Sequence, residues 1–250
     1  MDYIQHFAHG TENYQQYRPE YPAALFEYLA NLCGDHQLAW DCATGNGQAA
    51  LPLAAFFEEV IASDINQQPL NVALQKDNLS YYCWPAEQTS LKDNCVDLVT
   101  VAQALHWFDL PSFYSEVNRV GKRHGIIAAW CYSLGSVTPA IDKVIAKLYH
   151  DMLGDTYWPK ERRYIDNHYT TIAFPYKKLK TPSFMTEKIF QFADLVGYLN
   201  TWSAVKEYQQ RENKNPVEII LSELESAWGK EHSYTMQWPI HLLVGKLKKR

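Results

Sequence analysis

Paired cysteines, a signal-like start, long apolar runs and an excess of positive charge are all missing from this 250-residue chain. Its five cysteines, Cys33, Cys42, Cys83, Cys95 and Cys131, are odd in number and show no C-x-x-C spacing. Neither a zinc knuckle nor a disulfide framework is therefore indicated, and the thiols fit a reducing compartment. The start, Met1-Asp2-Tyr3-Ile4-Gln5-His6, has no basic segment followed by an apolar run, so no secretory signal is expected. No apolar run approaches the length that spans a bilayer. With 23 Lys and Arg against 28 Asp and Glu the formal net charge is -5, which speaks against a general nucleic-acid binder. The short basic tail of Lys246, Lys248, Lys249 and Arg250 reads as a solvated end. There is no internal repeat and no low-complexity linker. A cytoplasmic protein, monomeric or homodimeric, with no membrane or nucleic-acid partner and no metal, is expected.

What is present is a hydrophobic content of 47%, enough for a sizeable core. From residue 38 to about 132 short apolar runs alternate with amphipathic segments, the pattern of a parallel sheet with crossover helices. Strands are predicted at 38–42, 59–63, 79–83, 95–102 and 124–132. One helix begins at Asn66, with Leu70, Ala73 and Leu74 on one face. Another has Asp109 as N-cap, Pro111 in its first turn, Phe113, Val117 and Val120 facing inward, and Gly121 as its stop. After Ser133 a helix over 138–152 leads into an aromatic, irregular stretch of the kind that builds lids. A strand at 183–192, helices over 194–228 interrupted around Asn213 to Pro216, and a final alternating run at 232–244 follow. The fold expected is α/β: a doubly wound, mostly parallel seven-stranded sheet with an antiparallel last strand and a helical lid insertion. As one domain over 1–250 it would comprise an N-terminal helical cap (1–30), a core (36–135), a lid (138–182) and a completing segment (183–250).

The chemistry concentrates where the first predicted strand ends. Leu38-Ala39-Trp40-Asp41-Cys42 runs into Ala43-Thr44-Gly45-Asn46-Gly47-Gln48, and Val60-Ile61-Ala62 leads to Asp64. Gly45 and Gly47 let the backbone pass close to a ligand, because no Cβ stands in the way. The helix they open shows Ala49, Ala50, Leu51, Leu53, Ala54, Phe56 and Phe57 as an apolar face. An acid at the end of the second strand can accept both ribose hydroxyls, the task expected of Asp64. Asp41 adds a second negative charge that would repel a pyrophosphate but attract a sulfonium and an ammonium. The third glycine of the dinucleotide fingerprint is also absent, since position 50 is Ala. Both features favour S-adenosylmethionine over NAD. An NAD(P)-dependent oxidoreductase stays open as one alternative, and a non-catalytic adenosyl-ligand-binding protein as another.

Asp41 to Gly47, Asp64, Pro85-Ala86-Glu87 and Asp97-Leu98-Val99-Thr100, in this order, resemble class I S-adenosylmethionine-dependent methyltransferases. Tyr17-Arg18-Pro19-Glu20-Tyr21-Pro22, Gln103-Ala104-Leu105-His106-Trp107-Phe108 and Thr201-Trp202-Ser203 resemble the small-molecule (type 11) branch that includes trans-aconitate methyltransferases. The resemblance implies that Asp41, Ala43, Gly45 and Gly47 surround the methionine part of the cofactor, and that Asp64 and Ile65 hold ribose and adenine. It further implies that Ala86 and Glu87 border the adenine, that Gln103 and Ala104 lie beneath the sulfonium, and that Arg18 faces the cofactor carboxylate. Phe7 and Tyr14 would close over it from an N-terminal helix. Position 43 departs from the family's usual Gly, so Ala43 requires either negative φ or strain.

Methyl transfer from a sulfonium needs alignment of a nucleophile and exclusion of water rather than a covalent intermediate. A carboxylate acceptor is already ionised near neutrality, whereas a phenol, hydroxyl or amine would use a base. His106, just past the fourth strand, is the candidate base; its competing reading is a residue that only shapes the pocket. Trp107, Trp158, His168, Tyr169 and Trp202 are candidate walls for a small-molecule methyl acceptor, and Arg162 and Arg163 are candidate binders of an acidic one. Duller readings compete: Arg18, Arg162 and Arg163 as surface charge, Asp97 as a loop cap, Trp40, Trp84 and Trp130 as core.

Overall fold

The structure, a computed structural model, describes residues 17–247. Phe7 and Tyr14 lie outside the described residues. The strands are β1 (Leu38–Cys42), β2 (Glu59–Asp64), β3 (Leu79–Cys83), β4 (Val96–Ala102), β5 (Gly121–Tyr132), β6 (Lys177–Lys178), β7 (Phe184–Phe190) and β8 (Tyr234–Lys246). The chain divides into two compact units. Of the described residues, one comprises Tyr21–Ser133, Tyr164–Phe184 and 240–247; the other comprises 17–20, Leu134–Arg163 and Met185–Pro239.

In the larger unit the strands run in the order β3-β2-β1-β4-β5-β8-β6. β1 to β5 pair in parallel, while β8 lies antiparallel on β5 from Ile126 against Lys246 to Tyr132 against Ile240. The architecture is the expected one, with the two-residue β6 as an additional strand on β8. Every residue of β1 is buried, as in a sheet covered on both faces. Trp40, Val99, Ile127 and Ala129 pack with Phe113, Val117 and Val120 of the helix Leu110–Val120 on one face. Ala39, Leu98, Ile126 and Ala128 pack on the other with Leu25, Phe26 and Leu29 of the helix Ala23–Asn31 and with Ala50 and Leu53. Successive strand residues join opposite clusters, the period of two made visible. Trp40 and Trp130 have no exposed surface, whereas Trp84 is only partly buried and stacks on Tyr82 at 4.3 Å.

Two predicted helices are shorter than their apolar faces implied. The helix after the glycine turn spans only Ala50–Leu53, and 54–56 continue as turns. Ala49, Ala54 and Phe57 are still buried, through turns rather than helix. The helix Gln67–Asn71 also stops early, which leaves Leu74 exposed instead of inward. The strand predicted to begin at 124 begins at Gly121, where the helix Leu110–Val120 passes straight into β5.

The smaller unit carries the helices Pro139–Ala146, Phe192–Asn200, Ser203–Glu212 and Pro216–Trp228, and β7 pairs β8 there. The break predicted around Asn213 to Pro216 has a plain cause. Asn213 is left-handed at φ 52, and Asn215 caps the next helix by accepting from the Val217 N–H at 3.0 Å. The helix Pro139–Ala146 continues as a π-helical segment over Lys147–Leu153. Among the described residues no helix is long and apolar enough to cross a membrane.

Candidate functional site

Strand order reverses direction between β1 and β4: the chain proceeds outward through β2 and β3 on one side and through β5 on the other. In open α/β sheets such a reversal leaves a crevice beyond the carboxyl ends of the strands, where ligands bind. The turn after β1 and the residues after β4 meet this crevice. Both leave their strands in strained backbone, with Ala43 at φ 54 and Gln103 at φ 59. Of the two conformations open to Ala43, the strained one is adopted. Such outliers persist only where the surroundings over-determine them, and they gather at functional sites.

Gly45 and Gly47 are also left-handed, at φ 58 and φ 88. A Cβ on Gly47 would stand 2.2 Å from the Tyr81 hydroxyl, while one on Gly45 would meet nothing within 4 Å. Gly47 is thus required for packing, and Gly45 leaves open space beside its backbone. The turn is tied to β2 twice, by the Thr44 N–H on the Ser63 carbonyl at 2.9 Å and the Gly45 N–H on Asp64 Oδ2 at 2.9 Å. Asp64 Oδ1 accepts the Asn66 N–H at 2.8 Å. Each carboxylate oxygen keeps a further lone pair for another donor. Burial nevertheless raises the Asp64 pKa against the pull of these amides.

Asp41 is fully buried. Oδ1 accepts from Thr100 Oγ1 at 2.7 Å and Oδ2 from Thr44 Oγ1 at 2.5 Å. Thr100 sits directly opposite Asp41 in the β1–β4 register, which is why its hydroxyl reaches. Burial pushes the Asp41 carboxyl up to about 6; the two threonine bonds oppose the rise and the Asp64 charge adds to it. Two incompletely compensated acids at adjacent strand ends favour a positively charged ligand. Gln103 adds a buried Nε2 with no hydrogen-bond partner. Buried polar groups are rarely left so, and ligands commonly supply the partner. Open space at Gly45, the orphaned Gln103 amide and the paired acids fit an adenosyl cofactor bearing a sulfonium and an ammonium.

The other expected residues of this unit lie around the same strand ends. Ile65 is 46% exposed and Ala86 is buried. Glu87 Oε1 accepts the Asp109 N–H at 3.2 Å. Ala104 and His106 are buried, Trp107 is partly exposed with its ring 4.8 Å from that of His106, and His106 Nδ1 lies 2.9 Å from the Tyr169 hydroxyl. Tyr169 has no exposed surface, while its neighbour His168 is exposed and stacks on His241 at 3.7 Å. Asp97 stands at the opposite ends of the strands. It accepts the Gln37 and Leu38 N–H groups at 3.0 Å and pairs with Lys122 at 2.8 Å, so it clamps the start of β1.

The smaller unit holds the rest as an aromatic nest. The Arg162 guanidinium lies 4.6 Å over Trp158 and 5.2 Å over Tyr149, and its Nε donates to the Tyr149 hydroxyl at 2.6 Å. Trp202, nearly buried, packs on Trp158 and Tyr149 at 5.6 Å. Arg18 covers Tyr198 at 5.2 Å, and Tyr198 packs on Trp202 at 5.9 Å. Arg163 is exposed. Sequence reasoning missed Thr100, Thr44 and Tyr149 as partners of these groups. Thr100 had a signal, a lone hydroxyl within the apolar run Val99-Thr100-Val101.

Residues 40–129 match the methyltransferase domain family. A Dictyostelium discoideum protein assigned as a methyltransferase is 31% identical over 247 residues, spanning 96% of this chain and 94% of that one. A Saccharomyces cerevisiae protein assigned as an S-adenosylmethionine-dependent methyltransferase is 27% identical over 131 residues, 49% of this chain and 45% of that one. Among solved structures, one assigned as a type II methyltransferase from Anaeromyxobacter dehalogenans superposes with a TM-score of 0.87 at 38% identity, covering 93% of this chain and 99% of that one.

Proposed function

Because the chain belongs to the class I S-adenosylmethionine-dependent methyltransferases, we propose that it binds S-adenosylmethionine at the carboxyl ends of β1, β2 and β4 and methylates a small carboxylate acceptor. The observation that carries the cofactor reading is the buried Asp41 and Asp64 pair, both with raised pKa. Asp41, Ala43, Gly45 and Gly47 would cradle the methionine part, Asp64 and Ile65 the ribose and adenine, Ala86 and Glu87 the adenine edge, and Gln103 and Ala104 the sulfonium side. Arg18 would meet the cofactor carboxylate. When bound, the cofactor supplies a methyl group on a positively charged sulfur.

The chain's own part is then to align an acceptor and keep water out. Arg162 supports an anionic acceptor. Its Nε donates to Tyr149 and its plane lies over two aromatic faces, a planar fork of the kind that matches a carboxylate. Trp107 and His168 would contribute to acceptor recognition on the larger unit and Trp158 on the smaller, with Arg163 a further charge; Tyr169, which has no exposed surface, and Trp202, nearly buried, are core residues instead of walls. An ionised carboxylate needs no base, in keeping with a trans-aconitate-like branch. We assign both compact units to one methyltransferase domain.

Calorimetry with S-adenosylmethionine, S-adenosylhomocysteine and NAD(P) tests the reading. Binding of the two adenosyl ligands without NAD(P) is expected, and no binding by either would remove it. Release of S-adenosylhomocysteine on adding a panel of di- and tricarboxylates, with no release for phenols and amines, tests the acceptor class.

A further inference from the structure

We infer that Trp130 is a cofactor-binding residue whose indole N–H donates to the carboxylate at the amino-acid end of S-adenosylmethionine. This rests on the methyltransferase reading above.

Among the described residues three tryptophans have no exposed surface: Trp40, Trp130 and Trp238. An indole N–H can only donate, and when buried it usually finds an acceptor. Trp40 Nε1 donates to Ser63 Oγ at 2.9 Å, and Trp238 Nε1 to the Tyr198 hydroxyl at 3.1 Å. Trp130 Nε1 is shielded from solvent as completely, yet has no hydrogen-bond partner among the described residues. Core packing accounts for its ring and leaves its one polar atom unexplained.

That ring stands at the strand ends where the cofactor is placed. Trp130 lies opposite Ala102 in the β4–β5 register, and its carbonyl accepts the Gln103 N–H at 2.8 Å. The indole packs in the cluster that holds Ala39 and Leu98. Residues two apart along a strand share a face, so Asp41 and Thr100 stand on the same face as the indole, one row back from it. Its neighbour on β4 is Ala102, small and partly exposed, so β4 puts no bulk between the indole and the turn after β1.

Charge then names the group that Trp130 meets. The ammonium and carboxylate of an amino acid are bonded to one carbon, so a site that attracts the first with Asp41 must receive the second with donors. Trp130 Nε1 and Gln103 Nε2 are both buried donors without an acceptor, and a carboxylate offers each of them an oxygen. Hydrogen bonds to a charged oxygen are the strong kind. Tyr21 and Phe26 meet the indole edge-on, with ring centres at 5.4 Å and 6.2 Å. Tyr21, the partly exposed one of the two, is the cover that an arriving carboxylate displaces.

Proton–nitrogen spectra of the whole chain, with the Trp130 indole signal assigned through its contacts to the Phe26 ring, read this bond directly. The signal should move downfield with S-adenosylhomocysteine and not with 5′-methylthioadenosine, which lacks the amino-acid end. A signal that stays in place, moves alike with both, or moves only when di- or tricarboxylates are added would overturn the inference. In calorimetry Trp130→Phe, which keeps an aromatic ring and loses the N–H, should bind S-adenosylhomocysteine about tenfold more weakly and 5′-methylthioadenosine within about twofold of wild type. Equal losses for the two ligands, or none, would also overturn it. If Trp130→Phe does not fold, the wild-type signal decides alone. A wild type that binds no S-adenosylhomocysteine would remove the methyltransferase site itself, whereas binding with an unmoved indole signal removes only the role of Trp130.

Discussion

Replacing Asp41 with Asn should make the ligand-free protein more stable while weakening its hold on the cofactor. Asp41 has no exposed surface, and its carboxyl is raised from the ordinary 3.8 to about 6 by burial, net of the bonds from Thr100 and Thr44. Each pH unit of such a rise corresponds to about 1.4 kcal/mol, so the ionised side chain costs the folded state about 3 kcal/mol at neutral pH. The sign follows from linkage. Between pH 3.8 and about 6 the folded chain binds more protons than the unfolded chain, so stability falls as pH rises through that window. Asn carries no charge, and both threonine hydroxyls can rotate to suit its amide. Urea unfolding of both proteins should therefore give a gain for Asp41→Asn of about 3 kcal/mol at pH 7.5, shrinking toward zero near pH 4. In a chain of this size the gain corresponds to roughly 6–12 °C in Tm. S-adenosylmethionine affinity should drop by about tenfold or more. A variant no more stable than wild type at pH 7.5, or a gain independent of pH, would refute the reasoning.

The two glycines of the turn should separate by phenotype. Gly45→Ala places a methyl in open space and should cost only about 1 kcal/mol of stability while lowering cofactor affinity in calorimetry. Gly47→Ala collides with the Tyr81 hydroxyl and should destabilise more, with partial recovery when Tyr81→Phe is added; equal losses for both glycines would contradict this. Asp97→Ala strips partners from two N–H groups and from Lys122, and should cost about 2–4 kcal/mol in urea unfolding without altering cofactor affinity. Arg162→Lys removes a planar fork seated on Tyr149 and Trp158. Calorimetry should find S-adenosylmethionine binding unchanged, while turnover of acidic acceptors falls through a raised KM.

Much of this architecture is legible along the chain because it is local. β1 and β3 end where the apolar runs end, and Asn215 and Asn213 mark their helix boundaries through capping and left-handed backbone. The short helices escaped an amphipathicity argument because the apolar residues beyond Leu53 and Asn71 keep a helical spacing in the sequence although their backbone has left the helix. Contacts that set electrostatics are the least readable. Thr100 reaches Asp41 only because register places β4 beside β1, and Tyr169 reaches His106 across 63 positions of sequence. Sequence spacing put a histidine after β4 and a tyrosine in the 150–180 stretch; only folding shows the two within hydrogen-bond distance.

The central claim is that the buried acids at the strand ends hold a cationic cofactor, and S-adenosylmethionine affinity measured by calorimetry between pH 5 and pH 8 tests it most directly. Only the ionised Asp41 attracts the sulfonium and ammonium, and the carboxyl titrates at about 6 in the ligand-free protein. Affinity should therefore be flat above pH 7 and fall by about tenfold at pH 5, with the fall abolished in Asp41→Asn. Affinity that is independent of pH in the wild type, or a fall that persists in Asp41→Asn, would contradict the account.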